Sequence, residues 1–321
     1  MVTKLRYQTL SLAIVATILA PGLRAQVTAP SPFRVTLLGT GAPPVSMTRF
    51  GPSTLVEAGG QTLVFDAGRG AAQRLGQLGV AFSRVDAVFL THLHSDHTVG
   101  LPDLWLSGWV LDRRTTPWAL YGPAGTAALA THLTEAYAFD IGMRIGNGRQ
   151  NPAGGRLDAH DVEPGVVYER DGVRVIAISV DHGPITPAYG YRVEYGGRAV
   201  VLSGDTKLSP NLITAARGAN LIVHEVVIAP PNADSSAPFY SALITHTTPE
   251  ECAEIFGRVK PALAVYSHIV AFGGGDERDI IPRTKRTYAG PVLLGEDLMS
   301  IAVGDSLPTP RPGPPARAGT R

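Results

Sequence analysis

A seven-residue run at 91–97 constrains this chain more than any other stretch of it. The run reads Thr-His-Leu-His-Ser-Asp-His and follows an apolar segment that is typical of a buried strand. Side chains two positions apart in extended chain share a face, so His92 and His94 are expected to point to one place. Asp96 and His97 follow in the turn and reach a second place nearby. Imidazoles and a carboxylate at this density favour a metal site, with Zn²⁺ as the main expectation and Mn²⁺ or Fe as alternatives.

Three further donors stand directly after predicted strands later in the chain. His182, Asp205 and His268 each follow an apolar run and lie beside Gly, Ser or Thr. One polar residue at a strand end is common, but three at the expected places favour ligation. The sequence therefore predicts metal binding by His92, His94, Asp96, His97, His182, Asp205 and His268.

The order and spacing of these donors resembles the metallo-β-lactamase fold superfamily. The match extends from about Phe33 to Gly304. The resemblance implies the α/β class, as a four-layer αββα sandwich with two zinc ions per chain. It implies one metal bound by His92, His94 and His182, and another bound by Asp96, His97 and His268. Asp205 would bridge the two, and Asp66 would brace the ligand loop without binding metal.

Two later segments resemble the ribonuclease Z/arylsulfatase-like branch, the zinc phosphodiesterases. The segment His-Glu-Val at 224–226 is similar to that group's His-Glu-Ala-Thr segment, and His-Thr-Thr at 246–248 to its His-Ser-Thr segment. The resemblance implies that His246 protonates the leaving group and that Glu225 orients it. The alternative is that His246 only caps a helix beginning at Thr248. The predicted catalytic residues are then Asp96, His246 and Glu225.

The sequence departs from ribonuclease Z in one segment. That family carries a long Gly/Pro-rich arm that grips transfer RNA, whereas here 22 residues separate His182 from Asp205. The net charge is +1, and removal of residues 1–25 leaves −2. Neither the short segment nor the low net charge favours the binding of a polyanion. We therefore expect a small-molecule ester as the substrate and do not expect nucleic acid as a partner.

The chain is accordingly predicted to be an exported, dinuclear zinc-dependent hydrolase. A metal-bridging hydroxide would cleave a small ester, with a phosphodiester favoured, as in phosphodiesterases and arylsulfatases. One alternative is a ribonuclease Z-like RNA endonuclease of the 3′-tRNA processing type. Another is a lactonase or β-lactamase-type acyl hydrolase. A non-catalytic metal-binding or partner-binding module is disfavoured, because structural zinc sites are closed and mononuclear.

The termini differ in composition from the segment between them. Residues 1–25 have a basic start, a short apolar stretch and a small residue before Gln26, which predicts a cleaved signal peptide. We therefore expect a periplasmic or secreted protein with no stable membrane association after cleavage. Residues 33–305 are predicted to form one hydrolase domain, and 306–321, rich in Pro and Arg, a disordered tail. The oligomeric state stays open, with a homodimer as one alternative.

Two internal features complete the expectations. The segment 147–165 is rich in Gly, Asn and Pro and is predicted to be a loop. Cys252 is the single cysteine, which excludes an intrachain disulfide, and its helical surroundings predict that it is packed in a core.

Overall fold

The structure is a computed structural model that describes residues 33–230, 233, 235–237, 240–304, 309–311 and 313. The predicted signal peptide, residues 1–25, and most of the predicted tail lie outside this part of the chain. Among the described helices, none combines the length and the apolar character needed to cross a bilayer.

The first of two β-sheets contains eight strands within the described residues. They are β1 (Arg34–Gly39), β2 (Ser53–Ala58), β3 (Gln61–Phe65), β4 (Ala87–Phe89), β5 (Trp118–Gly122), β6 (Leu157–Asp161), β14 (Ser300–Ala302) and β15 (Thr309–Arg311). Their order is β15-β14-β1-β2-β3-β4-β5-β6, and β3 through β6 run parallel.

The second sheet contains seven strands in the same described part. They are β7 (Gly165–Arg170), β8 (Val173–Ser179), β9 (Tyr189–Tyr195), β10 (Arg198–Leu202), β11 (Leu221–Ile228), β12 (Leu263–Ala271) and β13 (Val292–Leu294). Their order is β13-β12-β11-β10-β9-β8-β7, and β10 through β13 run parallel.

Successive side chains of a strand point to opposite faces of its sheet and therefore belong to different apolar layers. In β3, Leu63 and Phe65 belong to the apolar cluster between the two sheets, whereas Val64 belongs to the cluster under the helices. In β10, Val200 and Val201 divide between layers in the same way. Each sheet is thus apolar on both faces and needs helices on its outer face.

Helices cover both outer faces. The described helices are α1 (Ala71–Leu78), α2 (Ser95–Thr98), α3 (Leu101–Val110), α4 (Thr126–Ala136), α5 (Ala138–Gly146), α6 (Pro210–Ala215), α7 (Tyr240–Leu243), α8 (Pro249–Val259) and α9 (Ile280–Thr284). Trp105 of α3 packs under the first sheet, and Phe256 of α8 under the second. The predicted four-layer αββα sandwich is confirmed. Cys252 is buried on α8, as predicted.

The segment 147–165 contains structure that the loop prediction missed. A short 3-10 turn at Ala153–Gly155 precedes β6, which pairs in parallel with β5. β6 is an edge strand whose side chains are half-buried or exposed, so its sequence has little apolar pattern. Its hydrogen-bonded pairing with β5, and not its side chains, makes it a strand.

The predicted disordered tail also contains a strand. Thr309–Arg311 pair antiparallel with β14 and extend the first sheet by one strand. The prediction of disorder over 306–321 is therefore wrong for these three residues. It was based on side-chain composition, whereas pairing at a sheet edge uses backbone groups and needs no apolar side chain.

Candidate metal centre

The ends of the strands gather the predicted donors at one edge of the two sheets. His92 and His94 lie in extended chain between β4 and α2, and Asp96 and His97 lie in the first turn of α2. The carboxyl ends of parallel strands meet at one sheet edge, so Asp205 after β10 comes close to β12. This edge is where ligands bind in sheets of this kind.

His268 reaches the centre through an irregularity in β12. The pairing of β11 with β12 shifts by one residue between His224 and Val226, opposite the segment that contains His268. The φ angle of His268 is +42°, in the left-handed region that few non-glycine residues adopt. Bulges of this type re-aim a side chain, and here the ring turns toward the donors.

One group of donors contains His92, His94 and His182 with Asp205. Their potential ligand atoms all lie within 4.8 Å of one another. His92 Nε2 is 2.9 Å from His94 Nδ1 and 3.8 Å from Asp205 Oδ2, and His182 Nε2 is also 3.8 Å from that oxygen. His94 is exposed, whereas the other three are buried.

A second group contains Asp96, His97 and His268. Asp96 Oδ2 lies 3.6 Å from His97 Nε2 and 3.3 Å from His268 Nε2. Asp205 Oδ2 lies 3.3 Å from each of the same two nitrogens. One carboxylate oxygen therefore borders both groups, which is the arrangement that a bridging ligand requires.

The donor set fits divalent metal ions. His182 Nε2 and Asp205 Oδ1 are buried and have no hydrogen-bond partner within the described residues. Buried polar atoms without a partner cost free energy, and a cation bound between them would remove that cost. Imidazole nitrogens and carboxylate oxygens at this density are the ligands that Zn²⁺ accepts. The cluster is therefore suited to a divalent metal.

The surroundings of His92 and Asp205 favour the deprotonated forms that bind metal. Burial, together with the neighbouring His97, holds the pKa of His92 well below its usual range. Burial alone would raise the pKa of Asp205, but His268 and His97 outweigh it and hold that pKa well below its usual range. A neutral imidazole and an ionised carboxylate are the ligating states, so neither group must lose a proton first.

Asp66 and Thr91 hold the ligand loop in place. One Asp66 oxygen accepts the backbone N–H of Thr91 at 2.8 Å, and the other lies 2.8 Å from Nδ1 of His97. Thr91 Oγ1 lies 3.0 Å from His92 Nδ1. Burial by itself would lower the pKa of His97, but the carboxylates of Asp205 and Asp66 together outweigh it and raise this pKa well above its usual range. Asp66 thus braces the loop, as the resemblance implied, and fixes the orientation of His97.

Contacts that sequence patterns did not reveal join the loop to the second sheet. The hydroxyl of Tyr191 donates to the carbonyl of Leu90 at 2.7 Å, and the N–H of Tyr189 donates to the carbonyl of Thr91 at 2.8 Å. His182 Nδ1 lies 3.0 Å from the carbonyl of Thr245, which leaves Nε2 turned to the donors. A backbone carbonyl carries no sequence signal, so only the structure identifies this contact.

His246 and Glu225 form an ion pair beside the donors. His246 Nδ1 lies 3.2 Å from Glu225 Oε2, and the other carboxylate oxygen accepts the N–H of Thr247 at 2.8 Å. Burial lowers the pKa of His246, but the Glu225 carboxylate outweighs it and, with Asp205, raises this pKa to about 9. His246 therefore carries a proton at neutral pH.

The structure contradicts the alternative in which His246 caps α8. The residue that caps α8 is Thr248, whose hydroxyl accepts the N–H of Glu251 at 3.4 Å. The Glu251 side chain in turn accepts the N–H of Thr248 at 2.8 Å, which completes a capping box. His246 instead lines a cleft of about 280 Å³ that opens beside the donors.

The other histidines belong to neither group of donors. His224 is fully buried inside β11, with Nδ1 2.7 Å from the carbonyl of Glu225. His132 and His160 are exposed and lie near Glu135 and Asp158, respectively.

Comparison with known proteins agrees with the metal-binding geometry of the donors. A family model described as "Beta-lactamase superfamily domain" matches residues 61–269. The ribonuclease Z of Mycobacterium marinum is 36% identical over 277 residues, which span 84% of this chain and 98% of that protein. The chain belongs to the ribonuclease Z family. Members share the metallo-β-lactamase fold, so the chain is a metal-dependent hydrolase that acts on phosphoester bonds.

Solved structures show the same fold. The metallo-beta-lactamase fold protein YhfI from Bacillus subtilis superposes with a TM-score of 0.68 at 18% identity, covering 85% of this chain and all of that one. The short form of human tRNase Z superposes with a TM-score of 0.63 at 22% identity, covering 86% of this chain and all of that one.

The family membership corrects one expectation. Nucleic acid was not expected as a partner, and this was wrong: relatives that align over nearly their full length are ribonucleases by name. The prediction depended on net charge and on a missing arm. Net charge sums over the whole surface, whereas metal ions at the donors would supply the positive charge that a scissile phosphate needs.

Proposed function

We propose that this protein is an endoribonuclease of the ribonuclease Z type that cleaves a phosphodiester bond in RNA, with a transfer RNA precursor as the substrate to test. The observation that carries the proposal is the alignment with a ribonuclease Z over 98% of that protein's length. The donors of the centre and the His246–Glu225 pair would supply the groups that such a reaction needs.

The proposal includes two zinc ions. His92, His94 and His182 would hold one, Asp96, His97 and His268 the other, and Asp205 would contact both. Bound zinc would polarise a phosphoryl oxygen of the substrate and lower the pKa of a water molecule, which is the chemistry it would supply here. Asp96 and Asp205 place two carboxylates among the imidazoles, so the donors also offset part of the positive charge.

His246 is proposed as the general acid. Its pKa of about 9 keeps the imidazole protonated at neutral pH, and it faces the cleft. Glu225 holds Nδ1, so the proton on Nε2 is the one available to the departing oxygen. The leaving group of RNA cleavage is a ribose alkoxide, which needs a proton to leave. Glu225 is itself fixed by the N–H groups of Thr206 and Thr247, at 3.4 and 2.8 Å.

The test is cleavage of a labelled transfer RNA precursor by the zinc-loaded protein. We expect a single cut at one phosphodiester. An aryl sulfate, a lactone and a cephalosporin, assayed in parallel, test the sulfatase and acyl-hydrolase alternatives. Turnover of one of these without RNA cleavage would overturn the proposal.

We also propose that the protein is exported, with cleavage before Gln26. The support is the N-terminal sequence, whose residues 1–25 lie outside the described part. Mass analysis of protein from the native host should find a mature N-terminus at or near Gln26 outside the cytoplasm. An intact Met1 on cytoplasmic protein would contradict export while leaving the chemistry unaffected.

A further inference from the structure

Glu225, the partner of His246, lies at a break in the strand pairing of β11. The pairing of β11 with β10 stops at Val223. The pairing with β12 is irregular between His224 and Val226, so Glu225 has no paired residue in either neighbouring strand of the described structure. Since the regular ladder does not hold a residue at such a break, other contacts must fix its direction.

Three side chains contact the backbone of Glu225. Ser203 Oγ accepts its N–H at 3.0 Å. His224 Nδ1 lies 2.7 Å from its carbonyl oxygen, and Cys252 Sγ lies 3.6 Å from the same oxygen. A carbonyl oxygen only accepts hydrogen bonds, so each of the last two contacts requires a proton on the side chain.

Burial keeps both side chains in a form that can donate. It lowers the pKa of His224, so the imidazole is neutral at neutral pH and its single N–H can lie on Nδ1. It raises the pKa of Cys252 well above its usual range, so the thiol keeps its hydrogen. Because sulfur is a weak donor, the contact from Nδ1 is the main one on this carbonyl.

Folding stability alone does not account for a histidine at position 224. The residue is fully buried, and its Nε2 has no hydrogen-bond partner within the described residues. A buried polar atom without a partner costs free energy, which an apolar side chain would avoid. The contribution of His224 therefore lies in the contact of Nδ1 with the carbonyl of Glu225.

The direction of the Glu225 side chain determines how it meets His246. One carboxylate oxygen lies 3.2 Å from His246 Nδ1, and the other accepts the N–H of Thr247 at 2.8 Å. These contacts hold the end of the side chain, whereas His224 holds the backbone from which the side chain extends. A rotation of that backbone would move the carboxylate away from His246.

We propose that His224 is a positioning residue for the general acid, because it holds the backbone of Glu225 where the carboxylate meets His246. This inference rests on the proposed function and deepens it. His224 belongs to neither group of donors, so loss of its contact should leave metal binding intact. The loss should slow only those reactions whose departing oxygen needs a proton.

The test compares two amide variants of His224 on two substrates. The side-chain nitrogen of Asn can take the place of Nδ1, whereas that of Gln lies near the place of Nε2, so only His224→Asn keeps a donor to Glu225. One substrate is a transfer RNA precursor, which releases a ribose alkoxide. The other is a nucleotide p-nitrophenyl ester, which releases a stable anion.

We expect the two variants to differ on RNA alone. His224→Gln should lower kcat on RNA about 100-fold, the typical cost of misplacing a catalytic group by about 1 Å. It should change kcat on the p-nitrophenyl ester little, and His224→Asn should retain most of the activity on both substrates. Equal losses of His224→Gln on the two substrates would overturn the inference, as would equal losses of the two variants on RNA.

A double variant tests whether His224 acts through Glu225. When Glu225→Gln has already weakened the hold on His246, His224→Gln should cause little further loss on RNA. Losses that multiply would overturn the inference.

Phe256→Leu is the matched control, since its ring lies 5.9 Å from that of His224 in the same apolar cluster. It should lower the thermal midpoint without a loss specific to RNA. If His224→Gln does not fold, Cys252→Ala removes the other donor to the carbonyl of Glu225 and should cause a smaller loss that is again specific to RNA. The absence of any such loss would overturn the inference.

Failure of the inference can be told apart from failure of the proposed function. Metal content and the thermal midpoint report whether each variant folds. A natural enzyme that cuts RNA, together with a folded His224→Gln variant that cuts it equally fast, overturns the positioning role alone. A natural enzyme that cuts no RNA overturns both.

Discussion

Replacing His246 tests the chemistry of the site most directly. His246 lies in neither of the two proposed ligand groups, so His246→Ala should retain both metals. The pKa of about 9 keeps His246 mostly protonated at pH 7, so the proposed general-acid contribution is available in the natural enzyme. That contribution is typically about 10²–10⁴ in rate, or about 2.7–5.4 kcal/mol in the barrier.

The loss must depend on the leaving group. A ribose alkoxide needs a proton in the transition state, so RNA cleavage should show the full loss. A nucleotide p-nitrophenyl ester releases p-nitrophenolate as a stable anion and should lose little. Glu225→Gln should show a weaker version of the same pattern, because Glu225 acts through His246, 3.2 Å away.

The assay is kcat for both esters, with metal content measured on every variant. His132→Ala is the matched control, since that imidazole is exposed on α4 and pairs with the exposed Glu135. Equal losses on both esters would refute the general-acid role and indicate a binding role. Loss of metal from His246→Ala would refute the ligand assignment itself, because His246 also lies within 4.8 Å of donors on Asp205 and His268.

Three further predictions concern metal binding and stability. Asp205→Asn should lower the metal content below the proposed two ions per chain and remove most activity, because the shared oxygen loses its charge; full loading with normal turnover would argue against two metals. Asp66→Asn should weaken metal affinity about 10- to 100-fold, since an amide facing His97 Nδ1 favours the tautomer with its proton on Nε2; zinc titration against a chelator measures this. Thr248→Ala should lower the free energy of unfolding by about 0.5–2 kcal/mol in a denaturant titration, because the capping box of α8 is lost; an unchanged midpoint would contradict the role of the cap.

The candidate metal centre was predictable because its donors follow local patterns. His92, His94, Asp96 and His97 stand within six positions after an apolar strand, so their closeness depends on little else. The later donors follow apolar runs, and a sheet brings such strand ends together. The structure gathers all seven at one edge.

Other features depend on contacts that no local pattern encodes. β6 exists because β5 offers unpaired backbone groups, although the sequence of β6 is polar and half exposed. The support of His182 by the Thr245 carbonyl joins residues 63 positions apart. The expectation about nucleic acid failed for a related reason, since a sum of charges over the chain does not include the local positive charge that bound metal ions would add at the donors.

The sequence by itself therefore determined the fold class and predicted the donor cluster and the His246–Glu225 pair, because each is encoded in short motifs and in the alternation of apolar residues. Tertiary structure alone decided that Asp205 presents one oxygen to both ligand groups and that His268 turns inward at a shifted pairing of β11 with β12. It also decided that His246 lines the same cleft as the donors His182 and Asp205. These are distances between residues far apart in the chain, and packing of the two sheets sets them.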